Sequence, residues 1–180
     1  APVVKKASSC ATDEDTLSSA MKFAYSDVDG DELTYSFSDP AKGSLSYNDN
    51  GTYTYLPDSN VNGNDCITII VGSGRGVKKP VVNVTINAVN DAPVLTTSSS
   101  FATDEDTLSS AMNFAYSDVD EDELTYSFSD PAMGSLSYND NGTYTYTPDS
   151  NVNGNDSFTI TVNDGTVDTI QTVNVTINAV

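Results

Sequence analysis

Ser135-Leu136-Ser137-Tyr138-Asn139-Asp140-Asn141-Gly142-Thr143-Tyr144-Thr145-Tyr146 decides the fold. Its two outer quartets alternate with period two, and the four residues between them are turn formers. Such alternation gives a strand one buried face and one wet face, the habit of antiparallel sheets. The same pattern recurs on both sides. Leu124-Thr125-Tyr126-Ser127-Phe128, Phe158-Thr159-Ile160-Thr161-Val162 and Val173-Asn174-Val175-Thr176-Ile177 alternate and are rich in Thr, Tyr, Val and Ile. Pro148-Asp149-Ser150-Asn151, Asn153-Gly154-Asn155 and Asn163-Asp164-Gly165 separate them. With an opening strand around residues 94–103 and another around 110–116, the stretch holds about seven strands. A helical pattern over Thr107–Phe114 is too short to compete. Seven short strands in roughly 90 residues read as an all-β, immunoglobulin-like sandwich.

The chain contains this unit twice. Shifted by 91 positions, it lies on itself without a gap, with 68 of 89 pairs identical. Ala1-Pro2-Val3 falls on Ala92-Pro93-Val94, and Asp13-Glu14-Asp15 on Asp104-Glu105-Asp106. A unit of this length is too long for a solenoid repeat and fits an independently folding domain. The reading is therefore two tandem β-sandwiches, residues 1–89 and 90–180, with a linker centred on Asn90-Asp91. Both ends read as cuts through a longer array, and any signal peptide is expected outside the 180 residues.

Composition narrows the function. The chain has 26 acidic residues against 7 basic ones, a net charge of −19, and no His. A surface this acidic repels phosphate, so nucleic acid is excluded as a partner. Without His there is no Ser-His-Asp, Cys-His or His-ligated zinc site. The apolar runs are a few residues long, so no helical segment spans a membrane. Paired carboxylates are abundant, but in loops of repeated modules they fit ligands better than glycosidase acids. The chain is read as not an enzyme.

The acids are clustered. One cluster is Asp13-Glu14-Asp15 with its copy Asp104-Glu105-Asp106. Another runs from Asp27 to Glu32, with its copy from Asp118 to Glu123. Asn90-Asp91 marks the joint, and Asn163-Asp164-Gly165 occurs in the second copy only. Two carboxylates held ~4 Å apart repel by roughly 4 kcal/mol at an effective dielectric of about 20. A hard divalent cation reverses that sign. Calcium takes 6–8 oxygen ligands, whereas magnesium keeps its waters and demands a strict octahedron. The Asp-x-Asp-x-Asp spacing opens like an EF-hand loop, but the closing bidentate Glu and the flanking helices are missing. A salt-adapted or solubilising acidic surface is the plainer alternative.

The order of these motifs is more specific than any one of them. Ala115-Tyr116-Ser117-Asp118-Val119-Asp120, Leu124-Thr125-Tyr126-Ser127, Val162-Asn163-Asp164-Gly165, Val173–Val180 and Asn90-Asp91-Ala92-Pro93-Val94 together resemble the cadherin repeat. The likeness is to the bacterial cadherin-like tandem repeats of large secreted adhesins, and it covers both copies. It implies calcium at the joint between domains. The implied ligands are Glu14, with Asp13 or Asp15 as helpers, then Asn90 and Asp91, then Asp118, Asp120 and Asp164. Asp65 is a further acid at a place where the cadherin pattern puts one. The implied role is a calcium-binding module of a secreted or surface adhesin, with neighbouring repeats as partners and a surface glycan or protein receptor as target. The rivals are a carbohydrate- or partner-binding sandwich, with Tyr53, Tyr55, Tyr144 and Tyr146 as a stacking face, and a non-catalytic accessory domain of an extracellular enzyme.

The copies differ in charge. All seven basic residues, Lys5, Lys6, Lys22, Lys42, Arg75, Lys78 and Lys79, lie in the first; residues 1–91 carry −5 and residues 92–180 carry −14. Ser73 stands where the second copy has Asp164, which predicts a weaker or absent calcium site at that end of the first copy. Neutral drift of an exposed hairpin is the alternative. Cys10 and Cys66 occur only in the first copy, near one end of the sandwich. They are expected either to form a disulfide, as an extracellular setting permits, or to remain two independent thiols. Asn50-Gly51-Thr52 and Asn83-Val84-Thr85 match glycan acceptors, but such triplets arise readily in Asn/Thr-rich strands.

Overall fold

The computed structural model describes residues 1–6, 9–48, 51–139 and 141–180. The Asn50 acceptor triplet and Asp140 of the quoted turn therefore involve positions outside the described residues, as do the side chains of Lys5 and Lys6. The chain forms two compact units, Ala1–Val89 and Asn90–Val180. All regular structure among the described residues is strand.

Unit one runs β1 (Pro2–Lys6), β2 (Cys10–Asp13), β3 (Met21–Lys22), β4 (Ala24–Asp27), β5 (Thr34–Phe37), β6 (Gly43–Asn48), β7 (Thr52–Pro57), β8 (Gly63–Gly72), β9 (Val77–Lys78) and β10 (Val81–Asn87). Unit two runs β11 (Val94–Thr97), β12 (Ser100–Asp104), β13 (Met112–Ser117), β14 (Thr125–Phe128), β15 (Gly134–Asn139), β16 (Thr143–Pro148), β17 (Gly154–Asn163) and β18 (Asp168–Asn178). Two four-stranded sheets make unit two, in the orders β11-β13-β16-β15 and β12-β18-β17-β14. In unit one the counterparts of β13 and β18 are each broken in two. Pro80, which has no N–H for the ladder, stands at the second break.

The opening strand differs from the single stretch expected over 94–103. It changes sheets midway. β11 pairs antiparallel with β13, while β12 pairs parallel with β18, Ser100 opposite Asn174. The same strand thus closes both sheets, and the sandwich contains one parallel pair among antiparallel ones. The Thr107–Phe114 helical pattern is overruled. Ser109 hydrogen-bonds both ways with the Tyr146 backbone, its N–H donating to Tyr146 O and its Oγ accepting from Tyr146 N, each at 2.9 Å. That fixes the segment as an extended lead into β13.

Alternation determines the core. Along β17, Phe158, Ile160 and Val162 point inward, and along β18 so do Val173, Val175 and Ile177. Phe158, Ile160, Val173, Val175 and Ile177 form one core cluster with Tyr144 and Tyr146, which are fully buried, as are Tyr53 and Tyr55 in unit one. These four tyrosines are core, which removes them as a sugar-stacking face. Burying each such ring or branched side chain contributes about 1.5–3 kcal/mol.

Candidate metal centre

In unit two the register brings together one end of three segments. Val94 of β11 lies opposite Ser117 of β13, so the residues before Val94 run beside those after Ser117. The Asp91 N–H consequently donates to Asp120 Oδ2 at 2.8 Å. The third segment is the β17–β18 hairpin, whose last pair is Asn163 with Asp168. Asp164 at its tip accepts the N–H groups of Thr166 and Val167 on Oδ1, both at 2.6 Å, and Asn90 Nδ2 on Oδ2 at 2.9 Å. Thr169 Oγ1 donates to Pro93 O at 2.6 Å and ties the lead-in segment to the hairpin. Asn90, Asp91, Asp118, Asp120 and Asp164, far apart in sequence, thus belong to one end of one domain.

The aspartate loop is tightly wound. The Asp120 N–H donates to Asp118 Oδ1 at 2.8 Å. One carboxylate oxygen each from Asp118, Asp120 and Asp122 lie within 4.8 Å of one another. At that spacing each pair repels by about 3 kcal/mol at an effective dielectric of 20. Unit two contains no Lys or Arg to answer them. Asp118 Oδ2 is buried without a hydrogen-bond partner. The Asn90 amide, together with the N–H groups of Val167 and Thr166, holds the Asp164 carboxyl below the usual range, so it stays ionised. The donor set is hard oxygen throughout and suits calcium rather than a soft metal.

Glu14 lies at the opposite end of its own unit. It is buried, and Oε1 accepts the N–H of Val89 at 2.6 Å while Oε2 has no hydrogen-bond partner. Its carboxylate therefore grips the residue immediately before Asn90. The proposed helpers serve the fold: Asp13 accepts from Asn87 Nδ2 at 3.0 Å and Asp15 from the Asn60 N–H at 3.2 Å.

Asp65 leaves the ligand set. Its Oδ1 accepts the N–H groups of Ala41 and Cys66, and its Oδ2 accepts the Lys42 N–H and the Tyr55 hydroxyl, at 2.8–3.1 Å. Four donors saturate the carboxylate. Asp156 in unit two accepts from Ala132, Ser157, Met133 and Tyr146 in the same way. Both acids staple the loop before β6 or β15 to the core. Strand parity was the available signal, because Asp65 shares the inward face of β8 with Ile67, Ile69 and Val71.

The disulfide is likewise corrected. Cys10 and Cys66 are free thiols, the first buried and the second exposed. Cys10 is opposite Val84 and Cys66 opposite Asn83, so β10 lies between their strands and they face opposite sides of one sheet. Adjacent strands are ~4.8 Å apart, which places their backbones beyond the reach of a disulfide. Asp122 is the residue that the ligand reading omitted; the Asp118-x-Asp120-x-Asp122 spacing contained it.

Comparison with known proteins agrees with this architecture. The bacterial cadherin-like domain family matches twice, over residues 1–89 and 90–179. Among solved structures, human protocadherin-24 EC1-2 is 17% identical over 99% of this chain and 98% of its own, at a TM-score of 0.52. Protocadherin gamma B2 domains 1-5 are 13% identical over 99% of this chain and 39% of their own, also at 0.52. These two likenesses concern the fold. An endo-fucoidan hydrolase from glycoside hydrolase family 107 is 20% identical at a TM-score of 0.42, and the chain spans 29% of that enzyme's length. No curated protein matches the chain.

Proposed function

Because the chain belongs to the bacterial cadherin-like domain family, we propose that it is a calcium-binding tandem module of a secreted or cell-surface adhesin, in which the ion stiffens the passage from one repeat to the next. The observation that carries this reading is the buried, unpartnered Oδ2 of Asp118 inside a three-aspartate cluster, in a domain with no basic residue. Asp118, Asp120, Asp122 and Asp164 would hold the ion, with Asn90 and Asp91 supplying amide and carboxylate oxygens. Calcium supplies the positive charge that turns mutual repulsion among these acids into common attraction. The chain's own part is placement. Within unit two Asp164 fastens Asn90 and Asp120 fastens Asp91, and within unit one Glu14 fastens Val89. The second oxygen of Glu14 joins the ligand set on the family resemblance. The reading assigns no reaction to the chain.

Linkage sets the scale: free ion at 100 times its dissociation constant adds about 2.7 kcal/mol per site. Extracellular calcium modules bind at ~10⁻⁴–10⁻³ M, which suits a calcium-rich medium outside the cell. The test is small-angle scattering and thermal melting of this chain in calcium and in chelator. Calcium should lengthen the particle and raise the melting temperature, and Asp118→Ala with Asp120→Ala should abolish both effects. A double variant that responds like the parent overturns the assignment.

A further inference from the structure

The two units differ most in the hairpin that packs beside the aspartate loop. Unit two carries Asp164, Thr166 and Asp168 there; the equivalent places in unit one hold Ser73, Arg75 and Val77. Two carboxylates have gone and a guanidinium has arrived. The turn itself is retained. The Ser73 N–H donates to Gly76 O at 3.1 Å, as the Asp164 N–H does to Val167 O at 3.4 Å. What has changed is the chemistry at the tip. Ser73 is buried and its Oγ has no hydrogen-bond partner, where Asp164 offers a charged oxygen. Arg75 Nε lies 3.9 Å from Asp31 Oδ2, a buried oxygen without a hydrogen-bond partner.

Unit one nevertheless keeps the aspartate loop. Oxygens of Asp27, Asp29 and Asp31 converge within 4.8 Å of one another, as their counterparts do in unit two. The Asp29 N–H donates to Asp27 Oδ1 at 2.8 Å, the same winding as Asp120 on Asp118.

We propose that Arg75 is a resident counter-cation which, together with the Asp-to-Ser exchange at position 73, disarms this loop as a calcium site. The loop is identical in kind to that of unit two, so the loop cannot set the difference. Affinity for a hard cation follows the number of charged ligands around it. Unit one has lost one such ligand at position 73 and carries a positive charge at the rim. Arg75 is 76% exposed, so its pairing with Asp31 adds little to fold stability. Its effect falls on the local charge and hence on the ion. The two units therefore respond differently to calcium: unit two takes it, and unit one does without it. This inference rests on the calcium reading of unit two.

Calorimetric titration with calcium chloride tests it. The sample titrated is N-terminally acetylated, so that no terminal charge competes with Arg75. Asp27→Asn with Asp29→Asn should leave the number and affinity of bound ions unchanged, while Asp118→Asn with Asp120→Asn should remove binding. Ser73→Asp with Arg75→Thr should gain at least one ion per chain. Arg75→Thr alone alters an exposed side chain and preserves the fold; it should add a weakly bound ion at unit one that the parent lacks. If the Asp27/Asp29 variant loses ions of the parent's affinity, or if neither Arg75 variant gains any, the inference is overturned and the reading of unit two stands. If the Asp118/Asp120 variant binds as the parent does, that reading falls and this inference with it.

Discussion

Asp156→Ala should cost unit two about 3–5 kcal/mol. The Asp156 carboxylate accepts the N–H groups of Ala132, Met133 and Ser157 and the Tyr146 hydroxyl, at 2.7–3.1 Å. It is 8% exposed, and Tyr146 is 0% exposed. Truncation leaves four donors with no acceptor. Each buried orphan costs about 1–3 kcal/mol, and the low end applies where water can reach the vacated space. Asp156→Asn keeps one carbonyl for Ala132 and Ser157, and its amide can donate to the Tyr146 hydroxyl. The Met133 N–H and the Tyr146 O–H proton are then stranded, so the cost should fall to about 2–4 kcal/mol. Tyr146→Phe deletes one donor to a charged acceptor and should cost about 1.5–3 kcal/mol.

A domain of some 90 residues is stable by only about 5–13 kcal/mol. One kcal/mol moves its melting point by roughly 4–8 °C, so Asp156→Ala should lower the unit-two transition by on the order of 20 °C. Unit one has its own staple at Asp65 and serves as the internal control. Differential scanning calorimetry in chelator should show one endotherm moving and the other staying. Should Asp156→Ala cost no more than Tyr146→Phe, the carboxylate is not saturated as the geometry says, and the exclusion of Asp65 from the metal site loses its basis.

Gly134→Ala should destabilise unit two by about 1–3 kcal/mol or more, read by urea unfolding, because a Cβ there would sit 2.5 Å from the Thr147 carbonyl and 2.6 Å from the Tyr146 ring. Cys66 should alkylate readily in the native chain and Cys10 only on unfolding, with intact mass unchanged by reductant beforehand. Both units should lose stability in acid. Burial pushes the Asp156 carboxyl up, but the Tyr146 hydroxyl and the N–H groups of Met133, Ser157 and Ala132 outweigh it and hold the group below its ordinary 3.8. The corresponding stability is complete above that value and is lost as pH falls through the folded one. Burial and the Asp156 hydrogen bond push Tyr146 up from 10.0, so its contribution is complete below pH 10 and is lost at higher pH. Denaturation midpoints across pH 2–12 check both limbs, and Asp156→Ala should flatten the acid one.

Alternation made most strands legible, because inward Ile, Val and Tyr at every second place are what a half-wet sheet requires. Strand parity also bears on the cysteines. Cys66 shares a face with Thr68 and is opposed across β10 by a thiol pointing inward, so no disulfide was geometrically open. The sheet change inside Thr97-Ser98-Ser99-Ser100 was not legible. No Gly, Pro or Asn marks it, and only packing against both β13 and β18 decides it. The pairing of Asn90 with Asp164, 74 residues apart, follows from register that residues alone do not disclose. It came to the sequence reading through family resemblance, whereas the Asp118–Asp122 cluster came from spacing.

Hydrogen-bond accounting separates two kinds of acid in this protein. Asp156 and Asp65 have both oxygens filled by donors of their own unit, so their charge is spent on holding a loop. Asp118, its counterpart Asp27 and Glu14 each commit one oxygen to the backbone, at Asp120, Asp29 and Val89, and each leaves the other buried with no hydrogen-bond donor. A buried carboxylate oxygen without a partner is costly in a finished fold. Retaining it makes physical sense where a cation completes the site. The same Asp-to-Ala change should therefore register as lost stability in chelator at Asp156, but as a lost calcium response at Asp118, where removing charge from a crowded cluster relieves repulsion in the metal-free chain. If both changes destabilised the metal-free chain equally, counting donors would not distinguish staple from ligand.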